Sequence, residues 1–248
     1  ELRFIGITGL PEVKAGDDLA QLIVSAAQRQ GTPITQGDIL VVTQKVVSKA
    51  EGRVVALKDV QASPLAVRIG QEYGRDPRHI EVILRESKRI IRMEAGIIIS
   101  ETRHGLKCAN AGVDASNVPG EENLALLPED PDASASRICR GIKERLGVVV
   151  AVIISDTFGR PWREGATNVA IGVAGINPLV DYRGQKDACG HLLRTTVLAI
   201  ADELASAAEL VTNKVTGVPV VLVRGYAYDT TSPGAKVLIR DQAQDLFR

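Results

Sequence analysis

The sequence predicts a mixed α/β (α+β) chain. Three observations carry this. Short β-branched apolar runs are interleaved with longer stretches of helical period, the spacing between them is irregular, and Gly and Pro punctuate the joins. Residues 2–8 (LRFIGIT) read as a strand closed by Gly9 and Pro11. Asp17-Asp18 caps a helix over LAQLIVSAAQRQ, which Gly31 and Pro33 stop. Residues 38–43 (DILVVT) form the next strand. Ser63-Pro64 gives a cap followed by proline at the first helical position, with a helix to Tyr73, and a further helix covers residues 77–87. Residues 90–92 and 96–100 read as paired strands. Residues 108–131, rich in Ala, Asn, Gly, Asp and Pro, show no period, and an aperiodic stretch of this length is usually functional or disordered. A helix over 133–146 leads into the strongest strand signal, 148–155 (VVVAVIIS), whose unbroken apolar run implies burial on both faces. A polar loop is expected at 157–165, a long Ala-rich helix over 188–211, and a buried strand at 218–223.

With 248 residues and 26.5 kDa the chain holds one large domain or two small ones. We read a single domain over residues 1–248, with two subdomains of uncertain boundary left open. Hydrophobic residues at 45% exclude intrinsic disorder. Lys plus Arg and Asp plus Glu both total 30, which argues against a general nucleic-acid binder. No apolar run approaches the ~20 residues of a membrane helix. The N-terminal residues carry no signal-peptide pattern, and as the chain opens on Glu1 a preceding segment is left open. Cys108, Cys139 and Cys189 form no CxxC pair and are odd in number, so a disulfide scaffold or zinc ribbon is disfavoured and a reducing cytoplasm is expected.

Two nucleotide motifs are absent. The chain has no Gly-Lys dipeptide, which rules out a P-loop, and no GxGxxG. Asp156-Thr157-Phe158-Gly159 matches DxxG, a pattern too short to count alone. Asp156 nevertheless ends a buried strand, where a carboxylate is best stabilised by a cation. Either a hard metal takes it, with Thr157 as a further oxygen, or it caps the turn or pairs with Arg160. Arg160 and Arg163 suit phosphate or a substrate carboxylate, because the guanidinium fork holds two oxygens. Residues 108–117 (CANAGVDASN) combine small residues with Asp114, Ser116 and Asn117, which fits either a metal and nucleotide site or an Asx-rich turn. Lys45 and Lys49, leaving a strand, neutralise a polyphosphate or are simply solvated. Cys189-Gly190-His191 is placed at a helix start, where residues two apart do not face each other, so a catalytic pair is disfavoured. His79 and His104 are expected at the surface, and Trp162 is read as packing.

Five words in order carry a resemblance. They are Gly9-Leu10-Pro11-Glu12, VVTQKVVSKAEGR at 41–53, ANAGVDASN at 109–117, ISDTFGRPWREG at 154–165 and AELVTNK at 208–214. With these the chain resembles the coenzyme F420-0:L-glutamate ligases, including the N-terminal domain of the fused bacterial form, over about residues 5–225. The resemblance implies an F420 ligase-like fold and an intertwined homodimer. It implies GTP-driven amide formation, in which the terminal carboxylate of F420-0 takes the γ-phosphoryl group and L-glutamate displaces phosphate from the acyl phosphate, with further γ-linked glutamates as an option. It implies cofactors: Mg²⁺ or Mn²⁺, as two ions, and K⁺. Asp114 and Asp156 match the family's ligands for a first metal, and Thr157 a ligand of a second. Leu10, Pro11, Glu12, Val13, Gln44, Lys49 and Asn117 match its GTP contacts. Lys214 stands where some relatives have a neutral metal ligand. The resemblance names no general base. A non-catalytic nucleotide-binding subunit and a metal-dependent phosphohydrolase on the same aspartates are the alternatives.

Overall fold

The computed structural model describes residues 1–118, 120 and 122–245. In chain order these form β1 (Arg3–Ile7), α1 (Leu19–Arg29), β2 (Ile39–Thr43), α2 (Gln44–Ala50), β3 (Val54–Ala56), α3 (Pro64–Tyr73), α4 (Pro77–Glu86), β4 (Ser87–Glu94), β5 (Ile97–Thr102), β6 (Lys107–Ala109), β7 (Asn123–Ala125), α5 (Pro131–Leu146), β8 (Ala151–Arg160), β9 (Arg163–Ala174), β10 (Val180–Asp181), β11 (Val197–Leu198), α6 (Ile200–Thr212) and β12 (Val220–Arg224). The mixture of helices and mixed sheets is the α+β class expected.

A five-stranded sheet in the order β1-β12-β2-β8-β9 forms the centre. Only β2 and β8 run parallel, with Thr43 opposite Ser155 in register. The other pairings are antiparallel. Its strands are apolar on both faces, which accounts for their continuous runs. Leu40, Val42, Val152 and Ile154 face one side and pack on Ile23 of α1 and Ile138 and Ile142 of α5. Ile39, Val41, Ile153 and Val221 face the other and pack on Leu204, Ala205 and Ala208 of α6. Each side chain of this kind, fully buried, contributes roughly 1.5–3 kcal/mol relative to exposure.

A third core lies outside the sheet. Ile69 of α3, Ile80 and Ile83 of α4, and Ile98 of β5 gather with Ala111, Val113, Leu124 and Leu126. The three-stranded sheet β4-β5-β6 and the pair β3-β7 belong to this region.

Local signals explain the helix ends. Asp18, Ser63, Asp76 and Asp130 cap α1, α3, α4 and α5 through their side chains, and α3, α4 and α5 each open on proline. Gly74 and Gly147 close α3 and α5 in the left-handed region. Close approach explains Gly172 of β9, where an added Cβ would lie 2.5 Å from Pro131 at the start of α5.

Several expectations need correction. The polar loop expected at 157–165 is the outer part of a β-hairpin: Thr157 pairs with Asn168, Phe158 with Thr167 and Arg160 with Arg163. Phe158 still packs partly against the core, and beyond it residues 159–166 are exposed, which accounts for their polar character. The helix expected over 188–211 begins only at Ile200. Before it, the Asp187 carboxylate accepts the amides of Cys189 and His191, an Asx-type turn that competes with helix, and Gly190 is left-handed. Cys189 and His191 therefore sit on a turn. The stretch after β2 is a seven-residue helix, α2, so Lys45 and Lys49 lie four apart on one helix face. His79 and His104 are half-buried, with His104 Nε2 2.9 Å from the Pro128 carbonyl. Trp162 is 79% exposed at the hairpin turn. Within 108–131 the chain is held by β6, β7 and a short turn of helix, and residues 119 and 121 lie outside the described residues.

Candidate functional site

The parallel pairing of β2 with β8 stops at Thr43 and Ser155, so Gln44, which opens α2, and Asp156, where β8 runs on beyond the end of β2, emerge together. Clefts beyond such strand ends are where α/β sheets hold ligands. Here the cleft is a cavity of about 800 Å³. Its wall includes Leu10, Pro11, Glu12 and Val13 from the loop after β1, and Gln44, Lys45 and Lys49 from α2. Asp114 and Asn117 enter from the third core, Asp156 and Thr157 from β8, and Glu209, Asn213 and Lys214 from the end of α6. Every residue matched to metal or nucleotide from the sequence thus faces one cavity. Arg160 and Arg163 do not line it. They stand at the hairpin tip, where Arg160 donates to the Gly165 and Glu164 carbonyls at 3.1 and 2.6 Å.

Asp114 is placed by unusual backbone. Asn110, Ala111 and Gly112 are consecutively left-handed, with φ of 53°, 54° and 71°. For non-glycine residues this conformation costs about 1–2 kcal/mol each. Arg75 holds the turn by donating to Asn110 Oδ1 at 3.2 Å and to the Gly96 carbonyl at 2.6 Å. A Cβ on Gly112 would meet Leu127 at 2.8 Å. Beyond the turn, the Asp114 amide and carbonyl bridge to Ala125.

The carboxylates differ in state. Burial pushes Asp114 up, but the Lys45 ammonium, 2.6 Å from Oδ2, and the Ser116 amide, 2.8 Å from Oδ1, outweigh it and hold the group below the usual range. Asp156 is different: burial pushes it up to about 6, against smaller opposing pulls from the Thr157 amide and from Lys45 and Lys214, with the Asp114 charge adding to the rise. Burial also pushes the neighbouring Cys108 thiol up to about 12, helped by the Asp156 charge, so it is an inert thiol.

Other contacts fix the wall. Lys49 Nζ is 2.6 Å from Glu12 Oε1, tying α2 to the loop after β1. The buried Gln44 amide donates to Ser48 Oγ at 2.6 Å and to the Leu126 carbonyl at 2.9 Å, so it also serves the structure. Thr157 Oγ1 donates to Asn168 Oδ1 at 2.6 Å and accepts from Lys214 Nζ at 2.5 Å. Asn168 and Glu209 escaped the sequence reading. Asn168 enters only through its register opposite Thr157, with no local motif, while Glu209 lies inside the AELVTNK word, which assigned it no role, and reaches the wall through the face of α6.

The donor set fits a hard cation. Asp156 is a walled-in carboxylate close enough to Asp114 for their charges to interact, the Ser116 hydroxyl donates to Asp114, and Thr157 lines the same cavity. Among the described residues no three His, Cys, Asp or Glu side chains cluster to bind a metal alone. A divalent ion here would complete its shell with water, hydroxyl or phosphate oxygens, as Mg²⁺ and Mn²⁺ do. Three lysines and four carboxylates line the cavity, so a polyphosphate entering it needs a further cation.

The family model described as F420-0:Gamma-glutamyl ligase matches residues 8–225. Curated relatives named Coenzyme F420:L-glutamate ligase match almost end to end. The one from Methanothermobacter thermautotrophicus is 49% identical over 100% of this chain and 99% of its own. Those from Methanopyrus kandleri and Methanocaldococcus jannaschii are 45% and 41% identical, over 96% and 100% of this chain and 94% and 98% of theirs. With the family model matched over residues 8–225 and relatives 41–49% identical over nearly their full length, the chain belongs to the F420-0:gamma-glutamyl ligase family.

Proposed function

We propose that this protein is a ligase that joins L-glutamate to the carboxylate of coenzyme F420-0 at the expense of GTP, through an acyl phosphate. The observation that carries the reading is the convergence of Leu10, Pro11, Glu12, Val13, Gln44, Lys49, Asp114, Asn117, Asp156 and Thr157, from four distant parts of the chain, on one cavity. A free carboxylate resists attack at neutral pH. Its oxygen attacks the γ-phosphorus, GDP leaves, and the acyl carbon acquires a good leaving group. The glutamate amine then attacks that carbon, phosphate departs, and the ammonium proton is lost. Catalysis of this kind is positioning plus charge neutralisation.

In this reading Leu10, Pro11, Glu12 and Val13 with Gln44, Lys49 and Asn117 bind the nucleotide. Asp114 and Asp156 hold a divalent ion, Mg²⁺ or Mn²⁺, which would supply charge neutralisation to the phosphoryl oxygens. Lys45 and Lys49 stand four residues apart on α2, facing where the phosphates would lie. Arg160 and Arg163, outside the wall, are assigned to phosphate or substrate carboxylate. K⁺, a homodimer and a cytoplasmic setting complete the proposal. Incubation with GTP, Mn²⁺, L-glutamate and F420-0 is expected to yield a product heavier by one glutamyl unit, together with GDP and phosphate. Folded protein that makes no such product under varied divalent metals refutes the reading. GDP release that needs neither organic substrate points instead to a phosphohydrolase.

A further inference from the structure

Lys214 is the residue at which this chain's cavity departs from a simple metal-binding wall. It follows Asn213, which ends α6 with a left-handed φ of 51° and turns the chain back toward β8. Its ammonium lies 2.5 Å from Thr157 Oγ1 and 4.0 Å from Glu209 Oε1. The Thr157 hydroxyl is doubly committed. Its proton goes to Asn168 Oδ1 and it accepts from Lys214 Nζ. Glu209 is committed as well, since Oε2 accepts the Asn168 amide at 3.1 Å. Asn168, Thr157, Glu209 and Lys214 therefore form one small network, and its only cation is the lysine.

A hard divalent ion bound to Thr157 would need an Oγ1 lone pair at roughly 2.0–2.2 Å. Of the two lone pairs one takes the ammonium, and an ion on the other would share the oxygen with a positive charge 2.5 Å from it. The two cations would compete for one oxygen, and an ammonium offers donors only, never a lone pair for a metal. We propose that the Lys214 ammonium takes the place of a second divalent ion at Thr157, so that this chain binds one such ion, at Asp114 and Asp156, and presents Lys214 directly to the terminal phosphate. The proposal rests on the assignment of Asp114 and Asp156 made above. It replaces a two-ion clamp by an ion and a tethered point charge, which does not exchange with solvent and brings three rotatable donors. At 62% exposure the side chain is free to follow a phosphate oxygen.

The test counts ions without relying on turnover. Wild-type protein with saturating GDP is titrated with Mn²⁺ and followed by electron paramagnetic resonance, alongside Lys214→Gln and Lys214→Arg. The exposed position makes both substitutions compatible with folding, checked by thermal melting. The expected result is one Mn²⁺ per chain, magnetically isolated, in the wild type and in Lys214→Arg. Lys214→Gln is expected to bind two, with the spin coupling of ions about 3.5–4 Å apart. Two coupled ions in the wild type, or a single ion in Lys214→Gln, overturn the proposal and leave the ligase reading intact. No ion bound in any of the three overturns the proposal and the Asp114–Asp156 assignment together.

Discussion

Asp156→Asn separates what the site costs the fold from what it contributes to binding. In the protein without metal, burial raises the Asp156 carboxyl from its ordinary 3.8 to about 6. That is about two pKa units, and at 1.36 kcal/mol each the ionised group destabilises the fold by about 3 kcal/mol at neutral pH. The sign follows from proton counting. Between pH 3.8 and 6 the folded state holds more protons than the unfolded one, so stability falls as pH rises through this window. Below it both states are protonated and the penalty vanishes; above it the penalty is complete. Asparagine keeps the shape and an oxygen for the Thr157 amide without the charge. Urea unfolding in EDTA, at fixed protein concentration, is therefore expected to show the variant more stable than wild type at pH 7.5, by up to about 3 kcal/mol. The gain should shrink toward zero near pH 4. Mn²⁺ with GDP should reverse the order, because only the carboxylate gains from the ion. A variant that is less stable than wild type in EDTA at pH 7.5, or equally stabilised at pH 4, refutes the account of Asp156 as a carboxylate held ready for a cation.

Two further outcomes are expected. Lys49→Met breaks the 2.6 Å pair with Glu12 and removes a charge from the cavity wall, so GTP affinity by calorimetry should fall by about tenfold while the urea midpoint shifts by less than the equivalent of 1 kcal/mol, as for other partly exposed pairs. Unchanged affinity would remove Lys49 from the nucleotide contacts. Arg224→Met strips the bidentate partner from Asp38, whose side chain is only 2% exposed and whose bonds to Arg224 measure 2.8 and 2.6 Å. Thr35 still donates to Asp38 at 2.7 and 3.1 Å, so the loss should be about 2–3 kcal/mol, below that of a fully orphaned buried charge. A loss under 0.5 kcal/mol in urea unfolding would show that the pair is solvated in solution.

The strands of the central sheet were legible because their residues are buried on both faces. Leu40 and Ile153 lie on opposite sides of one sheet, and nothing polar interrupts the run. Helices were legible where a local cap was read, at Asp17-Asp18 and Ser63-Pro64, whereas Asp130-Pro131 starts α5 two residues before the start read at 133. The outer hairpin was not, because a ribbon solvated on both faces leaves no periodic apolar mark. The start of α6 was misplaced because Ala-rich composition says little about where a helix begins, whereas Asp187 and Gly190 build a turn through contacts that composition does not register. At the site, Asp114, Asp156 and Thr157 were legible as words. Asn168 was not, and Glu209 carried no role within its word, since only strand register and helix rotation bring them to the cavity. Lys45 was visible as a charge, but its pairing with Asp114 spans 69 positions and belongs to the tertiary fold.

That pairing bears on how the cavity works. Asp156 is carried by the central sheet and Asp114 by the third core, so the two carboxylates come together only where these cores meet. Lys45, from the helix that directly follows β2, spans the junction: its ammonium holds Asp114 at 2.6 Å and Ser116 Oγ at 2.5 Å while lowering the pKa of Asp156 from further off. Its charge acts on both carboxylates. It satisfies Asp114 but leaves Asp156 unpaired among the described residues, which is why one carboxyl is depressed and the other raised. The ammonium thus adds to the Gln44 and Ser48 bonds to the Leu126 carbonyl that join the cores, and it does so without quenching Asp156. In the proposed reading, the carboxylate left unpaired at Asp156 is what a divalent cation would gain from, and Lys45 would then be released from Asp114 toward the phosphates of the nucleotide.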